Sequence, residues 1–283
     1  MGLDFDFVKS EKEFYDKYKK SVSDAIKINN EKNWFKYTKE QMSKINEKVN
    51  DLKTPFKVGY HGGLSYFNLT YGMQYWLLLL PIVFGLSSLF SKDSNNGIEE
   101  LTLSSKFGRK KNMNARIIAG NIFAGIVYGI FIVTLFIENG AVHSLHGLGQ
   151  STQTVWYTCL YDISLGTSML IIIGQGLLGV LIFANLVMLI SIKVKYSKIS
   201  TILSLASLWV IVTLTNTTNS LQLQLNPIYF ATRLAKGPRE FEIYYFVFNI
   251  MIPYSLAFIV LACIYMLFIR ALTVGQYKRY KLN

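Results

Sequence analysis

The chain has 283 residues, of which 51% are hydrophobic and 14% aromatic, and its formal net charge is +12. This composition excludes most soluble enzymes and is typical of integral membrane proteins, whose spanning helices need long apolar runs. The positive charge does not indicate a nucleic-acid partner, because it lies largely in loops that flank apolar runs or is mixed with acidic residues. We predict an all-α, polytopic helical membrane protein.

The N-terminal segment, residues 1–72, has no apolar run of membrane length, but its apolar residues recur at helical spacing from Phe14 to Ile26 and from Phe35 to Leu52. This pattern predicts a helical hairpin whose apolar seam packs on itself or on the outer membrane face. A coiled-coil dimerisation arm is the alternative. The aromatic residues that follow are expected in the membrane interface, where Tyr and Trp are enriched. They are Tyr66, Tyr71, Tyr75 and Trp76.

Five later stretches are apolar for close to the roughly 20 residues that a helix needs to cross about 30 Å of hydrocarbon. They are residues 73–91, 117–137, 168–192, 199–218 and 247–269. Runs of this length are too long for ordinary strands. We therefore predict about five transmembrane helices in a transmembrane domain of residues 73–272, preceded by the extracytoplasmic helical segment 1–72 and followed by a basic tail at 273–283.

The distribution of Lys and Arg predicts the orientation of these helices. Thirteen such residues lie in or beside the loop 92–116, the turn 193–198 and the C-terminal tail, whereas the alternate loops 138–167 and 219–246 hold three. The positive-inside rule then predicts a multi-pass protein of the cell membrane with a cytoplasmic C-terminus and an outer N-terminus. Either the first span carries the N-terminal segment across the membrane ahead of itself, or a span upstream of residue 1 is missing. We expect the second, because an exported segment of this size normally needs an apolar leader.

Uncharged polar residues within the predicted spans are costly to bury in lipid, and each therefore suggests a role. They are Asn121, Gln175, Asn185 and Asn249. They either line a translocation path or hydrogen-bond neighbouring helices, which is the commoner use. Gly120, Gly125 and Gly129 give the second span a small-residue face that packs either within the subunit or against another subunit.

Catalytic chemistry is not predicted. His143 and His146 form an HxxH pair in a loop, but no cysteine or acidic partner stands near them, so we expect no metal site. No GxxxxGK[ST] phosphate loop is present, and the chain therefore cannot hydrolyse a nucleotide by that route. We expect no enzyme activity and no directly bound cofactor, with ATP acting only through a partner subunit.

The loop 92–116 has the sequence KDSNNGIEELTLSSKFGRKKNMNAR, in which an acidic, leucine-bearing stretch precedes a Gly-Arg step and a basic run. Its distinctive residues are Gly97, Ile98, Glu99, Glu100, Leu101, Gly108 and Arg109. The pattern resembles the cytoplasmic loop between the second and third spans of type-2 ATP-binding-cassette (ABC) transporter permeases. The basic turn within 168–218 and the segment LNPIYFATRL at 225–234 resemble later parts of the same family.

This resemblance implies a permease subunit of an ATP-driven exporter, in which a loop helix docks into a groove of a separate cytoplasmic ATPase. The seven residues named above would form that coupling site. The implied partners are the ABC ATPase subunit and a second permease copy or paralogue, and the basic tail fits contact with membrane lipids. The first span here would correspond to the family's second, which agrees with the missing upstream span.

Two alternatives remain open at this point. The loop 92–116 could be a solvated segment that only sets the membrane topology, although topology needs the basic residues and not the leucines. The chain as a whole could be a non-transporting sensor or immunity protein that binds a peptide or envelope ligand through its N-terminal segment. The sequence does not indicate a substrate.

Overall fold

The structure of the protein is a computed structural model, which describes residues 10–32, 36–97, 111–217, 244–247 and 250–279. The described residues form eight α-helices, a short 3₁₀ turn at Thr152–Thr154 and a two-stranded antiparallel hairpin. The helices are α1 (Glu11–Lys32), α2 (Lys39–Asn50), α3 (Gly62–Leu86), α4 (Ser91–Asn95), α5 (Lys111–His143), α6 (Leu165–Lys193), α7 (Ser197–Thr217) and α8 (Tyr254–Arg279). The strands are β1 (Tyr244–Val247) and β2 (Ile250–Pro253). The predicted all-α class is confirmed.

Four helical segments are long and apolar enough to cross a membrane. They are Gly62–Asp93, Lys111–His143, Leu165–Lys193 and Ser255–Gln276. The predicted span 199–218 falls in α7, whose apolar part, Ser197–Ile211, is shorter than the other four. The chain is thus a polytopic helical membrane protein with four such helices and a fifth, shorter apolar helix among its described residues.

The centre of the bundle is the contact of α3 with α5 and α6, where the three helices share one large buried apolar cluster. The helix α3 begins at Gly62, which is 11 residues before the predicted start of the first span at residue 73. Tyr71 and Tyr75 are therefore fully buried, and their predicted place in the membrane interface is wrong. Because the helix continues through the aromatic segment, their four-residue spacing turns both rings onto the packed face. Trp76 is 39% exposed.

The N-terminal segment forms the predicted helical hairpin. Helix α2 starts with a capping box, in which Thr38 Oγ1 accepts a hydrogen bond from Gln41 N and Gln41 Oε1 accepts one from Thr38 N. The seam buries apolar residues from both helices with two residues from later in the chain: Tyr18, Val22, Ile26, Ile45, Val49, Leu52, Leu160 and Tyr244. Because this seam is occupied within the chain, the described hairpin has no apolar stripe left for a coiled-coil dimer.

Polar contacts fix the hairpin to the segment between α5 and α6. Tyr18 Oη donates to the carbonyl of Tyr157 over 2.6 Å, and Lys57 N donates to Ser151 Oγ over 2.9 Å. Lys53 and Asp162 form an exposed ion pair at 2.8 Å. Burial raises the pKa of the Tyr18 phenol, which therefore stays protonated and keeps donating at any physiological pH. We call the hairpin, residues 144–164 and β1 the cap.

The cap lies at one end of the bundle, which we call the cap end. The start of α3 meets the end of α5 there, because a Cβ at Gly63 would overlap the carbonyl of Ser144. The end of α3 lies at the opposite end, beside the end of α6 and the start of α7. The N-terminal hairpin and the loop between α5 and α6 thus share one end, and the described ends of the loop 92–116 share the other end with the turn 193–198.

Candidate functional site at the junction end

A set of serine hydroxyls joins α3, α6 and α7 at the end of the bundle opposite the cap. Ser191 Oγ on α6 accepts hydrogen bonds from the backbone N–H groups of Phe90 and Ser91, at 3.0 and 3.2 Å. Ser200 Oγ on α7 donates to the carbonyl of Ser87 over 2.6 Å. The side chains of Ser191 and Ser200 are buried, and these bonds satisfy backbone groups that the ends of α3 and α4 leave unpaired.

Arg116, in the second turn of α5, completes this site. Its guanidinium lies 2.5 Å from Asp93 Oδ2 on α4, and its Nη1 donates to the carbonyl of Leu89 over 2.9 Å. It also lies over the Phe90 ring, 5.8 Å from the ring centre. About a quarter of each side chain in the ion pair is exposed, at 24% and 25%. The pair is therefore shielded enough from water to be stronger than a typical surface pair.

We call these residues the polar junction: Ser87, Asp93, Arg116, Ser191 and Ser200. The junction holds the two described ends of the loop 92–116 to one another, since Asp93 begins the loop and Arg116 ends it. Short α4 also contacts both α6 and α7. A force on the loop would therefore reach four helices through short, directional bonds.

The predicted coupling residues fall almost entirely outside the described part of the chain. Gly97 is described, and its positive φ of 69° ends α4 in a conformation that favours glycine. The other six predicted residues lie outside the described residues: Ile98, Glu99, Glu100, Leu101, Gly108 and Arg109. Helix α5 already begins at Lys111, six residues before the predicted span at 117.

Two of the predicted intramembrane polar residues meet. Asn185 Nδ2 on α6 donates to Asn121 Oδ1 on α5 over 2.8 Å and to the carbonyl of Leu181 over 2.7 Å. Asn185 is 8% exposed. This contact supports the helix-packing interpretation of both asparagines, because each uses its amide to bind the neighbouring helix or its own. Asn249 lies outside the described residues.

A double-mutant cycle tests the asparagine pair. We expect the double variant to lose less stability than the sum of the losses in Asn121→Leu and Asn185→Leu. The difference, the coupling free energy, should be about 0.6 kcal/mol, which is typical of hydrogen bonds between membrane helices. The measurement is unfolding of the purified protein in mixed micelles by titration with sodium dodecyl sulfate. Full additivity of the two substitutions would show that the hydrogen bond contributes nothing to stability.

Gln175 differs from the asparagines. Its side chain is 4% exposed, and neither its carbonyl oxygen nor its amide nitrogen has a hydrogen-bond partner among the described residues. On α6 it lies one turn before Leu178 and two before Ile182, which pack with α8. A buried amide without partners is costly, so Gln175 differs from Asn121 and Asn185 in keeping hydrogen-bonding capacity among the described residues.

A tyrosine cluster beside Gln175 was not predicted as a polar site. Tyr75 Oη donates to the carbonyl of Gly176 over 2.7 Å, and Tyr128 Oη donates to that of Ile173 over 2.6 Å. The hydroxyls of Tyr71 and Tyr128 lie 3.1 Å apart. The cluster was not predicted from the sequence, because only Asn, Gln and charged residues were considered as polar groups at membrane depth. The four-residue spacing of Tyr71 and Tyr75 was the available signal.

The glycines of the predicted second span and the histidines of the HxxH pair have different surroundings in the structure. Gly120 packs against Met188, whereas Cβ atoms at Gly125 and Gly129 would meet nothing within 4 Å. Among the described residues, Gly120 therefore has a packing partner, and Gly125 and Gly129 have none within this distance. The His143 ring lies against Tyr66, with ring centres 4.1 Å apart. Over the described ranges, no three His, Cys, Asp or Glu side chains are grouped so that they could hold a metal ion.

Comparisons with known proteins found no match: no family model matches the chain, and neither a curated protein nor a solved structure does. Function therefore has to be argued from the polar junction and the bundle around it.

Proposed function

We propose that this chain is the membrane subunit of an ATP-driven exporter of the type-2 ABC permease kind, acting with a separate ATPase and a second permease subunit. The observation that carries the proposal is the polar junction. It ties both described ends of the loop 92–116 to the ends of α3, α5, α6 and α7. A solvated loop that only sets topology would not need its ends to be fixed in this way.

In the proposed mechanism, the polar junction transmits movement of the loop 92–116 to the membrane helices. The ATPase would bind the segment around Glu99 and Glu100, and its closure on ATP would displace the loop. The ion pair of Asp93 with Arg116 would transmit that displacement to α5, and the bond from Phe90 N to Ser191 Oγ would transmit it to α6. Rigid, directional contacts are what such coupling requires.

The orientation and the transport path follow from the same proposal. The junction end would be cytoplasmic, because the turn 193–198 and both described ends of the basic loop 92–116 lie there, and the cap would be outside. Gln175 is the residue we propose for the transport path, since its buried amide has no partner among the described residues. Asn121 and Asn185 would instead hold α5 and α6 together.

Charge reversal in the loop tests the coupling. We expect the double variant Glu99→Lys and Glu100→Lys to lose the ATPase, because the acidic pair would no longer match the docking groove. The tagged chain is purified from its native membranes, and co-purifying proteins are identified by mass spectrometry. The wild-type chain should bring down a protein with a nucleotide-binding loop, and the double variant at least tenfold less of it.

The matched control is Glu31→Lys with Glu47→Lys, which changes the net charge equally on exposed positions of the cap helices. This control should keep the ATPase at the wild-type level. Equal recovery of an ATPase with the loop variant and the control would count against the proposal. Two results together would favour the sensor alternative. The wild-type preparation would contain no ATPase, and deletion of residues 10–52 would remove the sensing or immunity activity of the protein.

A further inference from the structure

The junction end also carries basic side chains that the polar junction does not use. They are Lys92, Lys193, Lys195, Lys198 and Arg270, and we call them the basic ring. In sequence they are scattered over almost 180 residues, from position 92 to position 270. Contacts of the neighbouring residues place them at one level of the bundle.

Two hydrogen bonds and one shared apolar cluster establish this level. Ser191 on α6 binds the N–H of Ser91, so Lys92 stands beside the end of α6, where Lys193 follows two residues later. Ser200 on α7 binds the carbonyl of Ser87, which brings the first turn of α7 and its Lys198 to the same place.

The shared apolar cluster joins α6 to α8. Ile269 shares a buried cluster with Leu189, which lies four residues, or about 6 Å of helix, before Lys193. Arg270 is therefore close to the level of the other four cations, although it comes from the last helix of the chain.

The charges of the ring are not neutralised among the described residues. All five side chains are exposed, and none takes part in an ion pair of the described part of the chain. The described acid at this end is Asp93, which is occupied by Arg116. Like charges at one level of the bundle repel one another unless acids neutralise them, and an external anion relieves that repulsion.

The position of the ring indicates the kind of anion. Each cation stands at or near the end of an apolar helix, where the hydrocarbon of a bilayer gives way to phosphate headgroups. Tyr196, between Lys195 and Lys198, is 62% exposed, as suits a side chain of the membrane interface.

We propose that the basic ring binds the headgroups of anionic phospholipids in one leaflet, with Lys193, Lys195 and Lys198 as its centre. Zwitterionic lipids carry the same phosphate, but their own ammonium group opposes the approach of the lysines. The ring would thus select lipids by net charge and hold the turn between α6 and α7 in the headgroup layer. This proposal does not depend on the exporter function.

The test is lipid binding to the purified full-length protein in detergent. Lipids are added as mixed micelles of phosphatidylglycerol or phosphatidylcholine, and bound lipid is counted by native mass spectrometry. We expect phosphatidylglycerol to bind at least tenfold more tightly, and added salt to weaken its binding. Each lysine near the headgroups contributes about a fivefold factor, so Lys193→Gln, Lys195→Gln and Lys198→Gln together should weaken binding on the order of a hundredfold.

Two variants keep the test interpretable. Lys195→Gln alone changes one exposed residue of the turn and should weaken binding about fivefold, even if the triple variant does not fold. The control Lys12→Gln, Lys20→Gln and Lys27→Gln removes the same charge from exposed positions of α1 and should bind as the wild type does.

Equal affinity for the two lipids would overturn the proposal. So would equal loss of binding in the control and the ring variant. Displacement of phosphatidylglycerol by millimolar inorganic phosphate would show that the ring binds free phosphate and would equally overturn a lipid site.

Discussion

Replacing Gly176 with alanine is expected to destabilise the protein by about 2 kcal/mol. A Cβ at Gly176 would overlap the hydroxyl of Tyr71 and lie 2.7 Å from that of Tyr128. Neither ring can withdraw easily, because Tyr71 is fully buried and Tyr128 is 4% exposed. The measurement is unfolding by sodium dodecyl sulfate in mixed micelles.

The same helix provides a matched control. Gly174, two residues earlier, is exposed, and a Cβ there would meet nothing within 4 Å. Gly174→Ala makes the same chemical change and should leave stability unchanged or raise it by about 0.5–1 kcal/mol. Adding Tyr71→Phe to Gly176→Ala removes the overlapping hydroxyl and should recover part of the loss. Equal stability of the two alanine variants would show that the tyrosine cluster is not packed as described.

Replacing Arg116 with glutamine is expected to cost on the order of 2 kcal/mol and to abolish export. The substitution leaves the carboxylate of Asp93 partly buried without its cation, and it removes the bond to the carbonyl of Leu89. In the proposed function it also disconnects the loop 92–116 from α5. Stability is measured as above, and export as ATP-dependent uptake of a fluorescent amphiphile into inside-out vesicles that contain the complete transporter.

Lys53→Gln is the control for this prediction. It breaks another ion pair between distant parts of the chain, but the side chains of Lys53 and Asp162 are 81% and 58% exposed. Such exposed pairs contribute little, so stability and export should both stay at the wild-type level.

The Asp93→Asn variant keeps the shape of the polar junction and removes its charge pair. It therefore distinguishes a structural role of the junction from a role in coupling. Export at the wild-type level by Arg116→Gln would show that the polar junction does not transmit movement from the loop 92–116 to the helices.

The agreement between prediction and structure follows the strength of the local signals. Runs of apolar residues and helical spacing predicted the helical class, the hairpin of α1 and α2, and the membrane helices α5 and α6. The last span was predicted to start at residue 247, but residues 250–253 form β2 and α8 begins at Tyr254. The start of α3 was placed 11 residues too late, because glycines and aromatic side chains in residues 62–72 were interpreted as a linker in the membrane interface. In the bundle, Gly63 allows close approach to α5, and Tyr71 fills the core.

The candidate site was predicted less well than the fold. The acidic and basic residues of the loop 92–116 drew attention to the right region, but the junction depends on Ser191 and Ser200. A serine near the end of an apolar run is too common to predict a contact with a helix one hundred residues away. Its role is visible only when the unpaired backbone groups that it satisfies are known.

The sequence by itself determined that the chain is helical and enters a membrane, because these properties depend on composition and on spacing within single segments. The positions of Lys and Arg along the chain also determined which loops are basic and are therefore predicted to lie on the same side of the membrane. Only the tertiary structure decided that Asp93 meets Arg116, that Tyr71 and Tyr75 are buried, and that Ile269 and Leu189 share a buried cluster. The physical reason is that these contacts depend on how helices pack side by side, which the periodicity within one helix does not encode.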